Sequence, residues 1–111
     1  MHHFRLPSPV QIRDFEGKAV EEWAFLKFFR EGFAADPKFG KTAEDVRSYC
    51  RISTAVEKTT AGEVVTLDTE DWKRLKDVME TPTAPYKPWL VAQILPFIDA
   101  VANATTDLDK A

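Results

Sequence analysis

The sequence predicts an α+β fold of about four helices with a short N-terminal β-hairpin, on three observations. Val10-Gln11-Ile12-Arg13 alternates apolar and polar residues, and Glu16-Gly17 follows where a hairpin would turn. Farther along, apolar residues recur every three or four positions in separate stretches, the period of helices packed on one side. A brief β-prone run, Val64 to Leu67, leaves room for a third strand beside the hairpin.

The composition sets the frame. Over 111 residues, 44% are hydrophobic and 30% charged, the balance of one globular domain rather than a disordered chain. Eight Phe, three Trp and two Tyr are many for this length. A buried ring removes about 150–250 Å² from water, so few are needed to make a core. The net charge of −3 weighs against general binding to a nucleic-acid backbone. Cys50 is the single cysteine, which excludes an internal disulfide and fits a reducing compartment. The opening "MHHFRLPSPV" has no apolar stretch of signal-peptide length. No run approaches the ~20 residues of a membrane span. A cytoplasmic location is expected.

Residues 1–9 read as a flexible arm held extended by Pro7, Ser8 and Pro9, and residues 10–104 as one globular domain. The hairpin runs from Val10 to Val20. A first helix is expected near 21–32, with Trp23, Leu26, Phe29 and Phe33 on one stripe, Phe25 beside it, and Gly32 weakening its end. Thr42 begins a second helix over about 43–58 as its N-cap, with Glu44 and Asp45 in the first turn. Val46, Tyr49, Ile52 or Ser53, and Val56 form its apolar stripe. Asp68 or Thr69 caps a third helix carrying Trp72, Leu75 or Lys76, and Met79 along one side. Pro82 and Pro85 enforce an extended linker over 81–87, and Pro88 suits the first turn of a last helix. Pro96 lies inside that helix, where it costs about 3 kcal/mol unless the helix bends, so a kink is expected between Val91 and Leu95. Residues 105–111 read as a flexible tail.

No motif identifies a reaction. His2 and His3 are adjacent and far from Cys50, so they do not make a metal set. Cys50 has no nearby histidine base and reads as a small buried residue. The acidic pairs Glu21-Glu22, Glu44-Asp45 and Glu70-Asp71 mostly fall at helix starts, where carboxylates meet free N–H groups. The two Gly-Lys pairs lack the spacing of a phosphate loop. No catalytic, metal or cofactor residue is therefore assigned. Two surfaces remain. Tyr86 and Trp89, with Pro85 and Pro88, are either a protein contact surface or the lid of the last helix. Lys41, Arg47 and Arg51 are either an anion contact or a solvated basic face.

Ile12, Asp14, Glu16, Gly17 and Lys18 form an "I-x-D-x-E-G-K" hairpin. Gly62 to Leu67 with Glu70 and Asp71 form a "G-E-V-V-x-L-x-x-E-D" start to a penultimate helix. In this layout, over residues 10–104, the chain resembles small proteins of tailed bacteriophages and prophages, some of them similar to tail assembly chaperones. The resemblance implies transient, non-catalytic binding to a hydrophobic virion protein in the host cytoplasm, and transfers no functional residue. The expected function is thus a protein-interaction protein that binds another protein or itself, through the Tyr86–Trp89 region or the exposed side of the hairpin. The alternative is a small-anion or nucleotide-binding inhibitor of a host defence system, acting through Lys41, Arg47 and Arg51. Neither reading calls for a cofactor, a membrane or nucleic acid.

Overall fold

A computed structural model describes residues 1–35, 40–80 and 88–111. In chain order the elements are β1 (His2–Arg5), β2 (Val10–Arg13), β3 (Ala19–Trp23), α1 (Phe25–Ala35), α2 (Ala43–Glu57), β4 (Val64–Leu67), α3 (Thr69–Glu80), α4 (Pro88–Gln93) and α5 (Leu95–Ala102), with a closing 3-10 turn at Leu108–Lys110. This is the expected α+β class, with its N-terminal hairpin formed by β2 and β3.

The first correction concerns the N-terminal arm. Residues 2–5 form a strand paired antiparallel with β4, His2 opposite Leu67 and Arg5 opposite Val64. The reason is the alternation His-His-Phe-Arg. Phe4, 3% exposed, points into the core. Arg5 turns outward and donates to the carbonyls of Gly62 at 2.9 Å and Ala111 at 3.2 Å. The third strand therefore pairs with β1 rather than with the hairpin. The tail is corrected as well. Thr105 and His3 exchange two backbone hydrogen bonds of 2.8 and 2.9 Å, which lays the C-terminal residues along β1.

The hairpin takes more of the chain than its turn suggested. Glu21 and Glu22 continue β3 up to the buried Trp23, so α1 begins at Phe25 instead of near residue 21. Phe25, Phe28, Phe29 and Phe33 then face the core. Gly32 serves packing: a Cβ there would lie 2.9 Å from Val78 Cγ1, so the glycine lets α1 and α3 approach closely.

Helix α2 begins as predicted, with the Thr42 hydroxyl accepting from the Asp45 N–H at 3.1 Å. Its buried face differs, running through Asp45, Ser48, Ile52, Ser53 and Val56. Val46 and Cys50 are both exposed, which corrects the apolar stripe and the buried-cysteine reading. Cys50 precedes Ile52 by two residues, about 200° around the helix, so the two cannot share a face. Asp68 caps α3, its Oδ1 accepting from the Asp71 N–H at 2.8 Å.

The kink is where Pro96 demands it. Helix α4 stops at Gln93, Ile94 leaves helical geometry at φ −104° and ψ 11°, and α5 starts afresh at Leu95. Pro96 thereby sits in a first turn, where its missing N–H has no partner to lose. Phe97 and Ile94 stay fully buried, and Phe97 meets Phe25 edge-on at 5.7 Å between ring centres. The linker expected over 81–87 lies outside the described residues.

Candidate interaction site

The β2–β3 hairpin rests on this core by one side, through Ile12 and Trp23 with Val10 partly buried against it, and leaves its other strand residues in water. Among its strand residues only Ile12 and Trp23 are buried. Its turn is nevertheless tightly built. Asp14 N–H donates to the Lys18 carbonyl at 2.8 Å, and Gly17 N–H to the Asp14 carbonyl at 3.0 Å. The Asp14 carboxylate accepts from the N–H groups of Glu16 and Lys18, both at 2.9 Å, as aspartate does in turns. Gly17 has φ +85°, a conformation open to glycine and costly for other residues. The Arg13 guanidinium donates to the Gly17 carbonyl at 3.0 Å.

This scaffold presents Phe15, which is 86% exposed. Val20, at the irregularity where Ile12 pairs with Glu21 and Arg13 with Ala19, is 63% exposed. The outer edge of β2 is closed differently. The Gln93 side-chain amide donates to the Arg13 carbonyl at 2.9 Å and accepts from its N–H at 2.7 Å, taking the place of a neighbouring strand.

At the base of the hairpin lies an apolar cleft of about 220 Å³. Leu6 and Pro9 lead into it from the β1–β2 connection, Phe25 and Leu26 from the start of α1, and Val56 with Ala61 from the end of α2 and beyond.

The basic candidates are engaged unequally. Lys41 is exposed ahead of α2, and Arg47 is exposed with Glu44 at 3.8 Å. Arg51 is committed inward. Its guanidinium donates to both oxygens of Asp71 at 2.8 and 2.9 Å and to Glu44 at 2.8 Å. Asp71 is 2% exposed and also accepts from the Ser48 hydroxyl at 2.6 Å. Burial alone would raise its carboxyl pKa; the hydrogen bonds from Arg51 and Ser48 outweigh that and hold it below the usual carboxylate range. The hydrogen bonds to Asp71 and Glu44 in turn raise the pKa of Arg51. Asp71 is thus more than a capping acid: it joins α2 to α3.

Of the proposed contact residues, Pro85 and Tyr86 lie outside the described residues. Pro88 opens α4 and Trp89 follows it in the helix, but their side chains lie outside the description. His2 and His3 do not converge on an ion. His2 stacks on Trp72 at 3.9 Å and 3° between planes, while His3 Nδ1 hydrogen-bonds the Thr66 hydroxyl at 2.8 Å. No group of three or more metal-ligating side chains occurs among the described residues. No described helix is long and apolar enough to cross a membrane.

Sequence reasoning passed over Phe15 because the hairpin was read from its strands and its glycine. The signal was present: an aromatic between Asp14 and Glu16-Gly17 sits inside the turn itself, where no strand face can carry it to a core. Comparison with family models, with curated proteins and with solved structures finds no match for this chain.

Proposed function

We propose that the chain is a non-enzymatic protein-interaction module whose recognition element is the β2–β3 hairpin. One observation carries the reading: Phe15 is 86% exposed on a turn held by backbone and side-chain hydrogen bonds. An aromatic ring in water forgoes the burial free energy it could gain elsewhere, of order 1.5–3 kcal/mol. A turn this constrained cannot fold the ring away. It also loses little conformational freedom when a partner covers it, so its rigidity favours binding. Aromatic anchors of this kind dominate protein interfaces. The likeness of residues 12–18 to the opening hairpin of small phage proteins supports virion assembly in the host cytoplasm as the setting.

The anion-binding alternative draws less support from the geometry. An anion at Arg51 would have to displace two carboxylates, leaving Lys41 and Arg47 as exposed surface cations.

The test is Phe15→Ser, measured for folding and for affinity toward the protein the chain captures from its native host. Capture should fall by at least about tenfold with the melting temperature unchanged. Capture at wild-type affinity would remove the hairpin from the binding surface.

A further inference from the structure

We infer that the hairpin recognises a second copy of this chain, the Phe15 of each protomer seating in the cleft at the base of its partner's hairpin. This rests on the hairpin tip being a recognition element, and three observations select the occupant.

The first is capacity. Pockets for small-molecule ligands usually span about 300–1,000 Å³, whereas a cavity of about 150 Å³ accepts a benzene ring. At about 220 Å³, with an apolar lining of Leu6, Pro9, Phe25, Leu26, Val56 and Ala61, this cleft suits one aromatic side chain. Its preferred occupant is the chemical group that the hairpin displays.

The second is geometry. Pro9 and Ala24, which line the cleft, immediately precede β2 and follow β3. The cleft therefore lies at the foot of the hairpin and Phe15 at its tip, at most about 20 Å away for the six residues from Pro9 at about 3.3 Å each. The strand register and the hydrogen-bonded turn keep Phe15 from reaching its own cleft. Two hairpins laid side by side in opposite directions bring each tip to the other's foot. The same separation then closes both contacts at once, which is an isologous two-fold interface. Gln93 closes the β2 edge, so the hairpins meet along the β3 side, where Val20 adds exposed apolar surface.

The third is charge. Glu16 stands beside Phe15, and Lys58 beside Thr59, a lining residue of the cleft. Neither makes an ion pair among the described residues. Reciprocal insertion would bring each Glu16 toward a Lys58 of the other copy, twice per dimer.

Sedimentation equilibrium of the full chain up to about 1 mM tests the inference. The wild type should form a concentration-dependent dimer and nothing larger. Phe15→Ala removes two anchors, each worth roughly thirtyfold, and should weaken the dimer about a thousandfold. Glu16→Lys and Lys58→Glu should each weaken it about tenfold, and the double reversal should restore it. These are surface positions, so folding, read by circular dichroism, should not change. A wild type that stays monomeric, that assembles into open chains, or whose dimer tolerates Phe15→Ala would overturn the self-recognition. So would a double reversal that fails to rescue. A monomer that still captures a different protein through Phe15 overturns the dimer alone and leaves the hairpin as a binding element. A dimer and a capture both indifferent to Phe15 overturn the two readings together.

Discussion

Among the described residues, two antiparallel strand pairs of nearly equal length are used in opposite ways. The β1–β4 pair is sealed: Phe4, Val65 and Leu67 enter the core, His2 lies flat on Trp72, and Thr105 closes the outer side of β1. The β2–β3 pair is open, with two buried side chains and an aromatic at its tip. A two-stranded ribbon is marginal alone in water and needs something packed on it. The core supplies that support for the first pair. The second draws on a well-made turn, on Gln93, and on the buried Ile12 and Trp23. Strand pairing alone therefore does not decide what a ribbon contributes; the destination of its side chains does.

Phe4→Ala should break the sealed pair and give the largest effect. Phe4 packs 5.6 Å from Phe25 between ring centres and is almost wholly buried. Truncating such a ring usually costs about 3–5 kcal/mol, enough to unfold a marginal domain at growth temperature. Chemical denaturation should show the loss as a lower midpoint. A loss below about 1 kcal/mol would mean that β1 is an appendage after all.

Next comes the carboxylate that fixes α3 immediately after β4. Asp71→Ala leaves the Ser48 hydroxyl without its acceptor and Arg51 without its main partner. A cost of about 2–3 kcal/mol is expected, softened because Arg51 reaches water. The pH dependence follows from the lowered carboxyl pKa. The stabilisation is fully present above the unfolded carboxylate pKa, near 3.9, and is lost as pH falls through the lower folded value. Acid unfolding of Asp71→Ala should therefore be shallower than that of the wild type.

A smaller effect separates the two ribbons by pH. Burial, then the charges of the N-terminus, His3 and Lys73, lowers the His2 pKa. The unfolded chain then binds the proton more readily, so this contribution is complete above about pH 6.5 and is lost as pH falls through the folded value. Amide exchange should show the β1–β4 ladder loosening over that window while the β2–β3 ladder, which contains no histidine, holds. Equal loosening in both would assign the change to the whole domain rather than to His2.

What was legible in the sequence was local. Thr42, Asp68 and Pro96 act within a few residues of themselves, and cap, cap and kink fall where those side chains dictate. The strand at Val64–Leu67 was legible too, but its partner was not. That partner is about sixty residues away in a run of four, and pairing over such a distance is a property of the packed core. The face of α2 was obscured because Ser48 and Ser53 occupy core positions where an apolar pattern was sought, while Val46 and Cys50 face out. The engagement of Arg51 was hidden for a related reason: it answers a buried carboxylate on another helix, a contact that spacing along α2 does not reveal. The site was half legible. The hairpin could be read from alternation and glycine, but the cleft joins residues from Leu6 to Ala61 and exists only after folding.

The smallest expected effect on stability is the sharpest test of the comparison. Phe15→Ala should leave the free energy of unfolding within about 0.5 kcal/mol of wild type, against a severalfold larger loss for Phe4→Ala. Both substitutions remove the same ring, one from a strand and one from a turn, and strand propensity spans only about 1 kcal/mol, too little for a difference of this size. It reflects water at one site and Phe25 at the other. The measurement belongs at low protein concentration, because self-association through Phe15 would stabilise the wild type by mass action and mimic a packing loss. If the two substitutions cost the same there, the hairpin tip is packed rather than displayed. If they differ as expected, and the gap narrows as concentration rises because the Phe15→Ala loss grows, the exposed ring is stabilised only when another surface covers it.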